Sequence, residues 1–230
     1  MSFTGVEILK AGCGNPKAAL VFLHGSGSSG LECKNSFVKF LRGVGHKYID
    51  VYFPTAKERY LKIQDRVTTY WFDAVRTGSN NIDVEGNIDD ANEVSAALDK
   101  IVSEIEATGI PRERIAIGGT SQGGMVSIYA AYVRGVKVGA VVGISASFPF
   151  YTNSKFLPDP TTPLISIYGQ QDAFVVPCVM NAVWNFFRRN KIPFVVRSFL
   201  KHGHSLDVDY VKCMFEWLED KFLREDEDDD

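Results

Sequence analysis

Hydrophobic positions follow two patterns that alternate along the chain. Short continuous apolar runs are typical of buried parallel strands, and longer segments with an apolar residue every three or four positions are typical of helices. Strands are predicted at residues 18–23, 48–53, 115–117, 138–145, 164–168 and 194–199. Helices are predicted at residues 88–105, 124–133, 177–189 and 207–222. This alternation predicts an α/β fold with a central, mostly parallel sheet and helices on both of its faces.

Local signals set the limits of these elements. The strand at residues 48–53 is expected to end at Pro54, because proline has no N–H to give to a sheet. The helix at residues 88–105 should end before Gly109 and Pro111. Aromatic residues on the last two helices are expected to lie in the core: Trp184, Phe186, Phe187, Phe215, Trp217 and Phe222.

Length and composition fit one domain without a linker, at residues 1–223, followed by an acidic segment at 224–230 that we expect to be disordered. Lys and Arg total 25 against 28 Asp and Glu, without the basic runs of a nucleic-acid-binding protein, so nucleic acid is excluded as a partner. The first ten residues lack the pattern of a signal peptide. We expect a cytoplasmic protein that makes at most transient contact with a membrane surface.

Four widely spaced cysteines form no C-x-x-C pair. They are expected to be reduced thiols, and neither a disulfide framework nor a zinc site is predicted.

The candidate chemistry centres on Gly119-Thr120-Ser121-Gln122-Gly123. This G-x-S-x-G motif follows the strand at residues 115–117 and precedes the helix at 124–133. A nucleophile elbow needs this setting, because the serine sits on a sharp turn from strand to helix and the flanking glycines leave room for that turn. Ser121 is therefore the candidate nucleophile of a serine hydrolase with the α/β-hydrolase fold.

A serine nucleophile needs a base that takes its proton, and an imidazole suits that task at neutral pH. Of the four histidines, only His202 and His204 lie in the loop after the last strand, where this fold carries its base. We favour His204, because it stands closer to the start of the last helix. His202 is expected to be a solvent-facing loop residue.

The base in turn needs a carboxylate that orients it. Asp172 follows the strand at residues 164–168 and completes the order Ser, Asp, His along the chain. An aspartate in such a loop more often forms a turn, and that alternative remains open at this point. Asp207 and Asp209 are expected to cap the last helix.

Two backbone N–H groups are expected to form an oxyanion hole, those of Gln122 and Ser26. Ser26 lies in His24-Gly25-Ser26-Gly27, directly after the strand at residues 18–23. A phosphate-binding loop is the alternative, but the lysine and spacing of that motif are absent. The predicted chemistry needs no cofactor and no metal ion.

These segments together resemble the acyl-protein thioesterase and lysophospholipase family of carboxylesterases. The resemblance extends over residues 18–223 and is carried by Leu23-His24-Gly25-Ser26-Gly27, Trp71-Phe72-Asp73, Gly109-Ile110-Pro111, Gly118-Gly119-Thr120-Ser121-Gln122-Gly123-Gly124, Asp172, Val176-Pro177 and His204-Ser205. It implies the triad Ser121, Asp172 and His204 and the oxyanion hole of Ser26 and Gln122. Members of the thioesterase branch often carry an apolar residue at the position of Ser26 and phenylalanine at that of Thr120. The chain therefore looks closer to the lysophospholipase-like branch.

Substrates implied by the resemblance are an acylated protein, a lysophospholipid or a small ester. Five aromatic residues could line a channel for an acyl chain, or could belong to the core: Trp71, Phe72, Phe148, Phe150 and Phe174. A short-chain carboxylesterase without a protein or lipid substrate is a rival hypothesis. A binding protein on an inactive hydrolase fold is a rival of another class.

Overall fold

A computed structural model describes residues 3–42, 47–77, 84–150, 155–157 and 160–223. The acidic segment at residues 224–230, for which disorder was predicted, lies outside the described residues. Within the described ranges, no helix combines the length and the apolar character needed to cross a membrane. All four cysteines are free thiols.

Among the described residues, seven strands form the central sheet, with the order β1-β3-β2-β8-β9-β10-β11. They are β1 (Phe3–Leu9), β2 (Ala18–Leu23), β3 (Ile49–Ala56), β8 (Ile115–Thr120), β9 (Ala140–Ile144), β10 (Leu164–Gly169) and β11 (Phe194–Phe199). Only β1 runs antiparallel to its neighbour, which is β3. Strand β8, which leads into Ser121, is the fourth of the seven and therefore lies in the middle of the sheet.

In the part of the chain that the structure describes, five helices cover the two faces of the sheet. They are α1 (Gly30–Phe40), α2 (Ile88–Glu106), α3 (Gln122–Tyr132), α4 (Pro177–Arg189) and α5 (Val208–Leu223). Alternate residues of each strand face opposite sides. Val21 and Leu23 of β2 thus join a core with α2, α3 and α4, whereas Leu20 and Phe22 join a second core with α1 and α5. The α/β-hydrolase architecture predicted from the sequence is confirmed.

Two short antiparallel strand pairs, which we call hairpins, lie outside the main sheet within the described ranges. One pairs β4 (Glu58–Leu61) with β5 (Arg66–Thr69), and the other pairs β6 (Ala74–Arg76) with β7 (Val84–Gly86). A 3-10 turn at Lys62–Gln64 joins the first two strands. The hydrophobic pattern did not predict these four strands, nor β1 and α1.

Strand β3 continues through Pro54, where the prediction ended it. The pairing of β3 with β2 reaches only as far as Tyr52, so the last part of β3 is bordered by β1 alone and behaves as an edge. Proline is tolerated in an edge strand, because its missing N–H breaks no ladder there. The expected aromatic core on α4 and α5 is present: Phe187, Phe215, Trp217 and Phe222 are buried, and Trp184 and Phe186 pack against the core while remaining partly exposed.

Candidate active site

The turn between β8 and α3 holds Ser121 in an uncommon backbone conformation. Its φ is 51° and its ψ is −123°, a region that residues with a side chain rarely occupy. The Ser121 N–H donates to the carbonyl oxygen of Ile144 at 2.8 Å and thereby fixes the turn to β9. Backbone strain of this kind concentrates at functional sites, because the surrounding fold must hold it in place.

The glycines of the motif are required by close approach of the backbone. A Cβ on Gly119 would lie 2.2 Å from the carbonyl oxygen of Leu23, and a Cβ on Gly123 would lie 2.3 Å from the same atom. No side chain fits at such distances. The spacing predicted for a nucleophile elbow therefore follows from the packing of β8 and α3 against the end of β2.

Ser121, His204 and Asp172 form one hydrogen-bonded chain. His204 Nε2 lies 2.9 Å from Ser121 Oγ, and His204 Nδ1 lies 2.7 Å from Asp172 Oδ2. Because an ionised carboxylate only accepts hydrogen bonds, Nδ1 carries the proton and Nε2 is left to accept from the serine hydroxyl. The three residues come from the loops after β8, β11 and β10, which all end at the same edge of the sheet.

Asp172 is buried and fully satisfied. Its Oδ1 accepts hydrogen bonds from the N–H groups of Phe174, at 2.9 Å, and Val175, at 2.7 Å. Burial raises the pKa of the Asp172 carboxyl, but the hydrogen bond from His204, the two N–H groups and the imidazole charge together bring that pKa below its usual value. The carboxylate is thus held ionised beside the imidazole.

His202 lies on the same loop but points elsewhere. Its Nε2 contacts Asp209 at 3.0 Å and Asp207 at 3.2 Å, and its ring lies 5.3 Å from that of Tyr210. Asp207 also accepts from the Asp209 N–H at the start of α5. Within the part of the chain that the structure describes, His202, Asp207 and Asp209 form the only group of side chains close enough together to hold a metal ion. None of the three lines the cavity that opens beside Ser121.

The loop after β2 forms a tight turn beside the serine. The Ser28 N–H donates to the carbonyl oxygen of Gly25 at 3.2 Å, and Gly27 adopts a φ of 85° that favours glycine. Ser26 is the second residue of this turn. The hydrogen bond that closes the turn does not involve the Ser26 N–H. A Cβ on Gly25 would lie only 3.5 Å from Ser121 Cβ, so the turn packs against the elbow.

Gln122 is the first residue of α3, and a helix leaves its first N–H groups without an intrahelical acceptor. Its side chain has a second role that the sequence did not indicate. Oε1 accepts from the Trp71 N–H at 2.8 Å, and Nε2 donates to the Phe72 carbonyl oxygen at 2.7 Å. The buried amide therefore ties the segment before β6 to the elbow.

His24 completes this buried network. Its Nε2 accepts from the Ala56 N–H at 3.0 Å, and its Nδ1 therefore carries the proton that faces the Gly25 carbonyl oxygen at 2.7 Å. The Trp71 indole N–H donates to the His24 carbonyl oxygen at 2.6 Å. Burial lowers the pKa of His24, so this imidazole is held neutral and positions the loop that carries Ser26.

A cavity of about 960 Å³ opens beside Ser121 and His204. Its apolar lining includes Phe72, Met125, Phe148, Phe174, Val179 and Leu206. Three of the five aromatic residues considered for an acyl channel, Phe72, Phe148 and Phe174, are thus at the cavity. The other two belong to the core: Trp71 is buried beneath the His24 loop, and Phe150 packs against Tyr129 with ring centroids 4.7 Å apart.

Charged side chains stand at the same cavity. Arg66 of β5 and Arg76 of β6 line it, together with Glu32 of α1. Arg66 donates to Gln64 at 2.9 Å, and its Nη2 would lie 3.3 Å from a Cβ on Gly27. The cavity therefore combines an apolar lining with guanidinium groups carried by the two hairpins.

Comparison with known proteins connects this geometry to a family. A family model described as phospholipase/carboxylesterase matches residues 6–221. Lysophospholipase-like protein 1 of Mus musculus is 30% identical over 122 residues, which span 52% of this chain and about half, 49%, of that protein. Acyl-protein thioesterase 1 of Schizosaccharomyces pombe is 27% identical over 213 residues, or 88% of this chain and 90% of that relative.

A solved structure shares the architecture. Acyl-protein thioesterase 2 of Zea mays superposes with a TM-score of 0.76 over 95% of this chain and 99% of that chain, at 19% identity, which shows the fold alone. The family resemblance read from the sequence motifs is thereby confirmed: the chain belongs to the phospholipase/carboxylesterase family of α/β-hydrolases.

Proposed function

We propose that this hydrolase cleaves acyl esters or thioesters through an acyl-serine intermediate on Ser121. The observation that carries the proposal is the continuous hydrogen-bonded chain from Ser121 Oγ through His204 to Asp172. Ser121 Oγ attacks the acyl carbon while His204 Nε2 takes its proton, and Asp172 stabilises the imidazolium that results. The same imidazolium then protonates the departing alcohol or thiol, which leaves the acyl group on the serine.

Water completes the cycle. It attacks the acyl carbon, gives a proton to His204 Nε2 and releases the carboxylic acid as Ser121 Oγ recovers a proton from His204. In both tetrahedral intermediates the former carbonyl oxygen carries negative charge. We assign the stabilisation of that charge to the N–H groups of Ser26 and Gln122. The tight turn after β2, which packs against the elbow, and the free N–H groups at the start of α3 support this assignment.

The cavity supports an acyl substrate. Its size lies at the upper end of the range for small-molecule sites, roughly 300–1,000 Å³, and Ser121 lines it together with apolar side chains. One similar protein is named lysophospholipase-like protein 1 and another acyl-protein thioesterase 1. These names suggest an acylated protein or a lysophospholipid as the substrate. Because only part of the expected aromatic channel lines the cavity, we propose acyl chains of medium length.

Labelling by a fluorophosphonate tests the mechanism, since this reagent reacts only with an activated serine. Ser121→Ala should abolish labelling and lower kcat for an aryl ester on the order of a million-fold, as for other triad nucleophiles. Ser147→Ala is the matched control, because Ser147 lines the same cavity but its hydroxyl donates to Met125 Sδ. An unlabelled wild-type protein without esterase activity would support the inactive-fold rival.

A further inference from the structure

The hydroxyl of Ser26 is a buried polar group without a hydrogen-bond partner among the described residues. Ser26 nevertheless lines the cavity that contains Ser121 and His204. Buried polar atoms in native proteins nearly always have partners, since an unsatisfied one destabilises the folded state. An unsatisfied hydroxyl at the reactive centre indicates a partner that arrives with the substrate.

The position of Ser26 identifies that partner. Ser26 lies in the turn that packs against the elbow. In this turn Gly25 approaches the nucleophile so closely that a Cβ on Gly25 would lie 3.5 Å from Ser121 Cβ. Because the Ser26 hydroxyl has no hydrogen-bond partner among the described residues, rotation about its Cα–Cβ bond breaks no hydrogen bond. It is therefore free to turn toward an acceptor that forms in the cavity.

We propose that the Ser26 hydroxyl donates a third hydrogen bond to the negatively charged oxygen of the tetrahedral intermediate. This inference rests on the proposed acyl-serine mechanism and adds a side-chain donor to the two backbone N–H groups. The charged oxygen is a stronger acceptor than the carbonyl of the bound substrate, so the bond stabilises the transition state more than the ground state. The proton stays on Ser26 Oγ throughout, and the residue forms no covalent bond with the substrate.

Ser145 provides the matched comparison. Its Oγ is also buried without a partner within the described part of the chain, but Ser145 does not line the cavity. Replacing either serine by alanine removes one unsatisfied hydroxyl and keeps the backbone N–H. Both replacements should therefore leave the melting temperature unchanged or raise it, and only the change at Ser26 should slow the reaction.

The experiment measures kcat, KM and melting temperature for Ser26→Ala, Ser26→Thr and Ser145→Ala with one aryl ester. Ser26→Ala should lower kcat at least about tenfold with little change in KM, because one donor to the oxyanion is lost. Its Ki for an aryl trifluoromethyl ketone, which forms a tetrahedral adduct with a serine, should rise by the same factor. Ser26→Thr keeps a hydroxyl and should retain most of kcat, and Ser145→Ala should match wild type.

Three results would overturn the inference: Ser26→Ala keeping more than about half of the wild-type kcat, an unchanged Ki for the ketone, or equal losses in the alanine and threonine variants. Fluorophosphonate labelling separates this failure from failure of the proposed function. If wild type is labelled at Ser121 and Ser26→Ala keeps full activity, only the role of the hydroxyl is wrong. If wild type is not labelled, the acyl-serine mechanism itself fails.

Discussion

The cavity beside Ser121 is bordered by two regions that differ in the burial and hydrogen bonding of their side chains. The proposed catalytic centre, formed by Ser121, Asp172 and His204, lies on loops at one edge of the main sheet. Its carboxylate is buried and accepts three hydrogen bonds. The hairpin wall, formed by the β4–β5 and β6–β7 hairpins, carries exposed side chains: Val67 is 67% exposed and Val75 is 51% exposed.

This difference separates two tasks. Catalysis needs atoms held to within a fraction of an ångström, and in the proposed catalytic centre the buried hydrogen bonds of Asp172 hold His204 in that way. Recognition tolerates variation, and exposed loops and hairpins can change without loss of the fold. Changes in the catalytic centre should therefore lower kcat by large factors. Changes at the cavity lining should alter substrate preference by small factors.

The largest expected contrast is between the two histidines of one loop. His204→Ala should lower kcat about as much as loss of the serine, on the order of a million-fold, since the triad acts as a unit. His202→Ala should cost less than about tenfold, because only one imidazole can stand between the serine and the carboxylate. Steady-state kinetics on an aryl ester compares them. Equal losses would mean that His202 also belongs to the catalytic centre.

The next contrast is between two aspartates. Asp172→Asn should keep the fold but lower kcat by about 10⁴, because an amide neither stabilises the imidazolium nor favours the correct tautomer. Asp207→Asn is the control, since Asp207 caps α5 and contacts His202. Both variants should be assayed at one pH with melting temperatures recorded. Greater sensitivity at Asp207 would reverse the assignment.

The two regions also differ in how much of them the sequence could predict. The strands and the elbow were visible because β2 is a continuous apolar run, β8 and β10 are largely apolar, and glycines at the end of β8 stand where the backbone crowds. The hairpin wall was missed, because its strands have only three or four residues and therefore too few positions to display a hydrophobic period. Residues separated by 50 or 51 positions meet in the Gln122 amide contacts, and such contacts leave no local signal.

Burial likewise limited the prediction of the acyl lining. Trp71, Phe72, Phe148 and Phe150 are all almost fully buried, yet only Phe72 and Phe148 reach the cavity. Hydrophobic pattern identifies residues that avoid water but does not say which of them border an internal space. Phe174 is 77% exposed and lies with its ring 5.0 Å from that of His204, a placement decided by the loop that carries Asp172.

A smaller effect on kcat/KM is expected from changes to the acyl chain or to the cavity lining. For aryl esters of increasing acyl length, kcat/KM should rise by up to about fourfold per carbon, from ~0.8 kcal/mol per buried methylene, and level off at medium chains. Phe174→Ala removes an exposed ring from the lining and should flatten this rise without lowering the melting temperature. A decline from acetyl onward would favour the short-chain carboxylesterase, and a rise that continues to palmitoyl would indicate a depalmitoylating enzyme.

The smallest effect concerns His24, which contacts Ala56 at the end of β3, Trp71 between the two hairpins, and the loop that carries Ser26. Burial lowers the pKa of His24 in the folded protein below the 6.5 of an ordinary imidazole. Between those two pKa values the unfolded chain binds more protons, so the stability from a neutral His24 is complete above pH 6.5 and is lost as the pH falls.

His24→Gln removes this titration, and Gln offers a carbonyl oxygen as an acceptor for the Ala56 N–H. The variant should be less stable than wild type at pH 7.5, but its free energy of unfolding should fall less steeply toward pH 5. One proton accounts for a slope of at most about 1.4 kcal/mol per pH unit. Urea unfolding at several pH values measures both curves. The other three histidines are common to both proteins, so parallel curves would show that His24 is not held neutral by burial.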